Sequence, residues 1–327
     1  MKKLHEKSPC CGEEIYIHCR KRRRCKECGK TWTVWKKKRG RKVKRIQKNL
    51  APSYVNREVL PMRVERKNQS RNQRQHALQK SRQWCALQNP WAEIPNGPLI
   101  VVADGMVKYC KKRWYTWYFI LVRSTTGNQA VILPPYYQEG TETISGWRSA
   151  FAGMSEQVRE RTVVLVSDGH RGLVTQAQRE GWSIQRCHFH HLKRLQAQRS
   201  RWRTGRHQEE AEDIYTCSKA ILTETDERKI DDYLVHLTEL KDNTTSKEVK
   251  KVLSGFIRNY RDYRTYLKYP ELNIPTTNNT SEALVGLVER LAQHARGFRN
   301  PKTFNEWICV LFKTKKFILC RGNIPQN

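Results

Sequence analysis

The sequence predicts an α/β core with a mixed sheet, interrupted by an all-helical insertion and preceded by a small zinc-ribbon-like unit and a basic helical segment. Short β-branched apolar runs, typical of buried strands, recur between residues 99 and 186. Residues 188–275 instead show helical patterns with many charges. At 327 residues the chain exceeds one ordinary core, so several domains are expected. The predicted boundaries are 1–36, 37–97, 98–187, 188–275 and 276–327.

The first unit is cysteine-rich, with five of the eleven cysteines in the first 28 residues. It contains the C-x-x-C knuckle Cys25-Lys-Glu-Cys28, followed by Gly29, which eases the tight turn. Upstream, Cys11-Gly12 forms a second cysteine–glycine pair, but Ser8 stands where a matching knuckle needs cysteine. Tetrahedral zinc takes four soft ligands, which two knuckles of a ribbon supply. The sequence therefore predicts a zinc ribbon, with Thr31–Trp35 as its last strand.

The predicted zinc ligands are Cys11, Cys25, Cys28 and, preferably, Cys10. Cys19 is the other main candidate for the fourth ligand, ahead of His18 and His5. The alternative is a degenerate ribbon that folds without metal. An odd number of cysteines with no sign of secretion favours a reducing compartment and a metal site over a disulfide framework.

A basic linker follows the ribbon, Lys36 to Arg45, which is too charged to pack. Residues 53–88 then mix basic and apolar positions at loose helical spacing, from Val55 to Leu87. This pattern predicts a small helical module, either a helix-turn-helix that binds DNA or a helical linker. Prolines at 90, 95 and 98 mark the boundary with the core.

The core is predicted element by element from residue 99. Strands are expected at 99–104, 114–122 and 129–133, forming an antiparallel meander. A helix at about 141–153 precedes a strand at 162–167, and a helix at 170–180 precedes a strand at 183–186. This order is that of a ribonuclease-H-like core. Helices at about 279–297 and 303–319 are expected to complete it.

Two of these strands end in the same dipeptide, Asp104-Gly105 and Asp168-Gly169. Carboxylates at strand ends lie where open α/β sheets place their ligand sites. A third carboxylate, Glu282, begins a helical pattern that Asn278 or Thr280 could cap. Each feature alone has a plainer interpretation: a turn for Asp-Gly, and compensation of the helix dipole for the glutamate. Together the three carboxylates can hold a pair of divalent cations.

A second cysteine–histidine motif, Cys187-His-Phe-His190-His191, follows the strand at 183–186. A C-x-x-H is compatible with half a zinc site, but no convincing second half stands nearby. The alternative is a helix start with a buried cysteine and surface histidines.

The charge is uneven along the chain. The net charge is +32, and residues 1–90 contain 27 Lys and Arg against 6 Asp and Glu, a net of +21. A basic arm of this kind is typical of a protein that binds a polyanion, and we expect nucleic acid rather than a membrane surface as the partner. No apolar run approaches the ~18–20 residues of a spanning helix, and the first residues lack the apolar stretch of a signal peptide. We therefore expect a cytoplasmic, nucleoid-associated protein and no membrane partner.

The motifs in their order resemble the DDE transposases of bacterial insertion sequences, over roughly residues 98–320. More narrowly, the chain is similar to the branch related to the eukaryotic Mutator superfamily, in which a C-x-x-H motif follows the second aspartate. The residues that carry the resemblance are Asp104, Asp168, Cys187-x-x-His190, a long helical insertion and Thr276-Thr-Asn-Asn-x-x-Glu282. The ribbon matches one that many such transposases carry.

The resemblance implies a DNA transposase with Asp104, Asp168 and Glu282 as the catalytic triad and Cys187 and His190 as an accessory pair. It also implies two Mg²⁺ or Mn²⁺ ions, with Asp104 shared between them, for cleavage at transposon ends and strand transfer into target DNA. The partners that the resemblance implies are double-stranded DNA, as the terminal repeats and the target DNA, and further copies of the chain on DNA. The alternatives are a DNA-binding regulator with a non-catalytic core, and a nuclease of the same fold without strand transfer.

Overall fold

The fold was determined as a computed structural model, which describes residues 8, 10–12, 15–19, 22–33, 79, 94–110, 112–202, 208–294, 298 and 300–320. It divides into two compact units, residues 1–48 and residues 49–327. The predicted basic linker and nearly all of the predicted helical module at 53–88 lie outside the described residues. Within the described part of the chain, no helix is both long enough and apolar enough to cross a membrane.

The first unit is a small antiparallel sheet. Its strands are β1 (Ile15–Cys19), β2 (Arg22–Cys25) and β3 (Thr31–Thr33), in the order β1-β2-β3. Strand β3 falls within the predicted strand at 31–35. The knuckle of Cys25 and Cys28 therefore lies between β2 and β3.

The second unit is built on a mixed sheet. Its strands are β4 (Leu99–Cys110), β5 (Arg113–Ser124), β6 (Gln129–Ile132), β7 (Tyr136–Glu139), β8 (Thr162–Ser167), β9 (Ser183–Arg186) and β10 (Phe317–Leu319). Among the described residues the strand order is β10-β6-β5-β4-β8-β9, with β7 paired to β5. The pairs β4–β5 and β5–β6 are antiparallel, whereas β8 is parallel to both β4 and β9. The predicted mixed α/β architecture is confirmed.

Helices cover both faces of this sheet. On one face lie α1 (Ile144–Ala152), α2 (Glu156–Arg161) and α3 (Arg171–Glu180), which pack Trp147, Phe151 and Leu173 against Val101 and Tyr118. On the opposite face lie α9 (Asn279–His294) and α10 (Pro301–Lys315), which pack Leu284, Val288 and Phe304 against Val102 and Trp117. These buried side chains fix the sheet between two helical layers.

The segment between β9 and α9 is helical, as predicted. Its helices are α4 (His188–Trp202), α5 (Gln208–Thr223), α6 (Glu227–Asn243), α7 (Lys247–Tyr263) and α8 (Thr265–Lys268), followed by a 3₁₀ turn at Pro270–Leu272. The helices have a separate apolar core that includes Ile221, Leu237, Leu253 and Phe256. The helical insertion therefore packs as a body with its own core.

Three predicted elements differ from the structure. The predicted helix at 141–153 begins only at Ile144, because the Thr143 side chain caps it, and a second short helix follows Gly153. The predicted helix at 303–319 begins at Pro301 after the Asn300 cap and ends at Lys315. Lys316, with φ of 59°, then turns the chain into β10, which pairs with β6. The strand predicted to end at Asp104 continues to Cys110.

Candidate functional site

Asp104 lies inside β4, so its predicted position at a strand end is wrong. The strand continues because the β4–β5 hairpin pairs up to Cys110 and Arg113. On the other edge, however, the parallel pairing of β4 with β8 stops at Val102 and Val166. Asp104 and Asp168 each lie two residues beyond that last pair. Asp104 therefore has no strand partner on this edge, because β8 ends there although β4 continues.

Asp168 is held in a turn directly after β8. Its Oδ1 accepts a hydrogen bond from the backbone N–H of His170 at 2.8 Å. Gly169, between them, has φ of 87°, a left-handed conformation that favours glycine. The ring of His170 in turn caps α3 by accepting from the Gly172 N–H at 3.1 Å. The turn therefore fixes the Asp168 carboxylate at the start of a helix.

Glu282 lies in the first turn of α9, as predicted. Its Oε1 is 3.5 Å from Nε2 of His190, the histidine of the C-x-x-H motif. Leu284, Val288 and Leu291 form the buried face of the helix, as the apolar stripe predicted. Glu282 lies off that face and is partly exposed, with 32% of its side chain accessible. The helix thus anchors Glu282 while leaving its carboxylate able to meet a ligand.

Asn278 connects the residues of the separate motifs. Its buried side chain donates from Nδ2 to Asp104 Oδ2 at 3.4 Å, and its backbone N–H donates to Cys187 Sγ at 3.4 Å. Its carbonyl accepts from the backbone N–H groups of Ser281 and Glu282 at the start of α9. Asn278 was predicted as a possible side-chain cap; it stands at the cap position, but its side chain bonds Asp104 instead.

The electrostatics of Asp104 show that the acidic residues act on one another. The pKa of Asp104 is raised to about 7, first by burial and next by the negative charge of Asp168. The charges of Glu282 and Glu142 raise it further, while a hydrogen bond from the Gly105 N–H opposes them. Four carboxylates from different elements therefore share one region, and cations would relieve their repulsion.

Glu142 is the member of this group that sequence reasoning missed. Its Oε1 accepts from Trp147 Nε1 at 2.6 Å and lies 3.3 Å from Nδ1 of His170. A Cβ added to Gly105 would lie 3.1 Å from Glu142 Oε2, so glycine on β4 permits this close approach. Burial raises the pKa of Glu142. The residue precedes the helix cap Thr143, and nothing in the local pattern distinguishes it from a helix-start glutamate.

The raised pKa of Asp104 predicts a pH-dependent stability. Its folded pKa of about 7 exceeds its ordinary value of 3.8, so its contribution is full below pH 4 and is lost as pH rises through about 7. A shift of this size corresponds to at most about 4 kcal/mol. We expect the metal-free protein to melt at lower temperature at pH 8 than at pH 6, with a smaller difference for Asp104→Asn. Calorimetry with and without Mg²⁺ checks this, and an equal pH dependence in the variant would contradict it.

The C-x-x-H motif connects the strand and the helix that precede and carry the acidic residues, and where the structure describes its surroundings it belongs to no group of three metal-binding side chains. Cys187 is buried, and burial raises the pKa of its thiol to about 11, so it is a neutral acceptor for the Asn278 N–H. Its own backbone N–H bonds the carbonyl of Ser167, at the end of β8. Cys187 and His190 thus lie between the Asp168 strand and the Glu282 helix.

The neighbouring histidines, His188 and His191, are buried, so the alternative interpretation of this motif, which placed its histidines at the surface, is wrong for these two. His191 stacks on Phe256 with ring centroids 4.0 Å apart, and His188 Nε2 lies 2.6 Å from the carbonyl oxygen of Tyr263. Burial lowers the pKa of His188 to about 4 and that of His191 to about 3, so both are neutral at pH 7. They join the start of α4 to α7.

The first unit contains a second candidate site, made of thiols. The potential ligand atoms of Cys10, Cys11, Cys25 and Cys28 all lie within 4.8 Å of one another. Among the described residues this is the only group of three or more His, Cys, Asp or Glu side chains close enough to share one ion, so Asp104, Asp168 and Glu282 do not form such a group in this structure. These are the four residues predicted as zinc ligands, and four thiols at this spacing could bind zinc.

The two knuckles have the same backbone geometry despite Ser8. Gly12 donates its N–H to the Ser8 carbonyl at 3.0 Å, as Gly29 does to Cys25 at 3.2 Å, and both glycines have φ near 70°. Ser8 is buried, with its hydroxyl 3.4 Å from Cys25 Sγ, and this contact is the main reason that the pKa of Cys25 falls to about 6. Serine thus takes the place of the first knuckle ligand, and Cys10 brings the fourth thiol.

We expect one zinc ion per chain at these cysteines. Cys25→Ser should lose it, because a unit this small depends on metal binding for folding, whereas Cys187→Ser should retain it. Elemental analysis of the purified variants measures the zinc content. Zinc retained by Cys25→Ser but lost from Cys187→Ser would contradict the assignment.

Acidic residues grouped on a mixed α/β sheet, in a strongly basic chain, fit the class of enzymes that process DNA. The family model for transposases of the Mutator family matches residues 125–318. The chain therefore belongs to the Mutator family of transposases, and DNA binding in general follows from that membership. The match includes Asp168, Cys187, His190 and Glu282 but begins after Asp104. No curated protein matches the chain.

Proposed function

We propose that this chain is the transposase of a bacterial insertion sequence. It cuts DNA at the ends of the element and joins the freed 3′-hydroxyl to target DNA, with Asp104, Asp168 and Glu282 as its catalytic residues. The observation that carries the proposal is geometric: Asp104 and Asp168 lie at the same level, two residues beyond the last β4–β8 pair, and Asn278, which caps the helix of Glu282, donates a hydrogen bond to Asp104. The pKa of Asp104 is raised first by burial and next by the charge of Asp168. Membership of the Mutator family of transposases supports it independently.

The donor set fits hard divalent cations. Carboxylate oxygens are the ligands that Mg²⁺ and Mn²⁺ prefer, and the three residues would hold two such ions, with Asp104 shared. The buried Oδ1 of Asn278 has no hydrogen-bond partner within the described structure, so an acceptor beside Asp104 stays available for a ligand or its water. When bound, the ions would activate the attacking oxygen and stabilise the leaving oxygen.

The protein's own residues orient the ligands. Asn278 donates to the Asp104 carboxylate, the 168–170 turn holds Asp168, and His190 lies beside Glu282. Cys187 and the Asn278 backbone connect these elements. Because Asp104 and Asp168 are each held by a hydrogen bond before substrate arrives, less reorganisation is needed during reaction.

The topology supports the same proposal. Three antiparallel strands, β6-β5-β4, followed by the parallel strands β8 and β9, have the order of a ribonuclease-H-like core. In that interpretation 98–187 and 276–327 form the catalytic core, 188–275 is its insertion, and 1–36 and 37–97 bind DNA. Further copies of the chain would assemble on the element's ends, in the bacterial cytoplasm.

The test uses the full chain and DNA that carries the sequences flanking its gene. With Mg²⁺ we expect cleavage at the element's ends, and pre-cleaved ends should be joined to a target plasmid. Binding without cleavage would overturn the proposal in favour of a DNA-binding regulator. Cleavage without joining would indicate a nuclease of the same fold.

A further inference from the structure

The outer part of the β4–β5 hairpin has an apolar face that the described residues leave exposed. The inner part of this face is covered by α1 and α3, as far as Ala103 and Tyr118. Beyond Gly105 the same face presents Val107, Tyr109 and Trp114, with Tyr109 55% and Trp114 52% accessible. We define these three residues as the ribbon face.

The ribbon face is held in shape by its own pairing. Tyr109 and Trp114 are cross-strand partners, and their ring centroids lie 5.1 Å apart. On the opposite face of the hairpin, Met106 and Trp117 belong to the buried core. The hairpin that carries the two exposed rings is therefore held in place by the core on its other face. This rigidity lowers the entropic cost of binding a partner.

The charge around the ribbon face selects the partner. No Asp or Glu occurs in the sequence between Asp104 and Glu139. Lys111 and Lys112 come between the two strands, at the end of the hairpin. Arg113 beside them is paired with Glu139 at 2.9 Å, and Lys108 lies over the Phe304 ring on the opposite face. A second copy of this basic surface would be repelled, whereas phosphates would be attracted. Exposed aromatic rings among cations are also the combination that nucleic-acid surfaces use.

From these observations we infer that the β4–β5 ribbon is a DNA-binding element, with Tyr109 and Trp114 against the bases or sugars and Lys112 on the backbone. A two-stranded ribbon fits the major groove of DNA. Tyr109 lies five residues beyond Asp104, about 17 Å along the strand, which is within one helical turn of a duplex. The inference rests on the proposed function, in that both sites would contact the same DNA molecule.

The experiment measures binding of the full chain to a 40-base-pair duplex without divalent cations, so that no cleavage occurs. We expect Trp114→Ala and Tyr109→Ala each to weaken binding about fivefold or more, because each removes apolar surface that the duplex would bury, and Trp114→Phe to restore most of the loss. Phe317→Ala is the matched control, since Phe317 is also an exposed aromatic residue on a strand, and it should bind like wild type. Lys112→Gln should lower the salt dependence of binding by about one phosphate contact.

Two results would overturn the inference. One is a Trp114→Ala protein that binds within twofold of wild type. The other is a change from dimer to monomer on sedimentation, with DNA affinity per chain unchanged, which would make the ribbon face a contact between copies. Because binding is measured without divalent cations, a failure here leaves the cleavage test of the proposed function unaffected, and a failure to cleave leaves this binding result intact.

Discussion

Asp168→Asn is expected to abolish DNA cleavage and leave DNA binding within about twofold of wild type. Asparagine keeps the shape of the side chain but removes the negative charge that a divalent cation needs. Loss of an outer-shell partner of a metal ligand costs about 10–100-fold, so loss of a ligand should cost about a thousandfold. Rates of end cleavage under saturating DNA measure the effect.

Glu289→Gln is the matched control for that experiment. Glu289 lies two turns after Glu282 on α9 and is exposed, so it shares the helix without sharing the site. We expect its cleavage rate to match wild type, whereas Glu282→Gln should behave like Asp168→Asn. A rate for Asp168→Asn within a few-fold of wild type would show that it is not a metal ligand.

Removal of residues 1–90 is expected to flatten the salt dependence of DNA binding and eliminate preference for the element's ends. This segment carries a net charge of +21, out of +32 for the whole chain. Each phosphate neutralised contributes about −0.9 to the slope of log affinity against log salt concentration. The slope measured between low and moderate salt therefore reports how many contacts the arm supplies.

The control for the removal of residues 1–90 is a full-length variant in which exposed cations of the helical insertion are changed to glutamine. These cations are Lys219, Lys247 and Lys251. These changes should lower the slope only slightly. If the truncated chain kept the full slope while the insertion variant lost it, the principal DNA-binding surface would lie in the insertion instead of the arm.

Much of the core could be predicted because strand and helix periods are local signals. The strands at 162–167 and 183–186 are found at the predicted residues, since each is a short apolar or alternating run bounded by helices. By contrast, β10 was assigned to a helix. Its three residues form a strand only because they pair with β6, far away in the sequence, and a local pattern cannot reveal such a partner.

In the candidate site too, the residues with a local sequence signal could be predicted and the contacts between distant segments could not. Asp104, Asp168 and Glu282 could be singled out by their motifs, but the motifs do not reveal what connects them. Asn278 and Glu142 meet residues from elements distant in sequence: Asn278 donates to Asp104, and Glu142 lies beside His170 and close to Gly105 of β4. Likewise, β4 continues past Asp104 because it pairs with β5. On its other edge, β4 has no strand partner at Asp104 because the pairing with β8 stops at Val102. Neither partner is evident from the local sequence of β4.

The most direct test of the proposed metal-dependent site is the number of Mn²⁺ ions bound per chain. Equilibrium binding followed by electron paramagnetic resonance, on zinc-loaded protein at pH 8 without DNA, counts these ions while the cysteine site is filled. We expect two Mn²⁺ ions per wild-type chain. Asp104→Asn should lose both, because both ions would share the Asp104 carboxylate, and its zinc content should be unchanged. Two tightly bound Mn²⁺ ions in Asp104→Asn, as in wild type, would contradict this expectation.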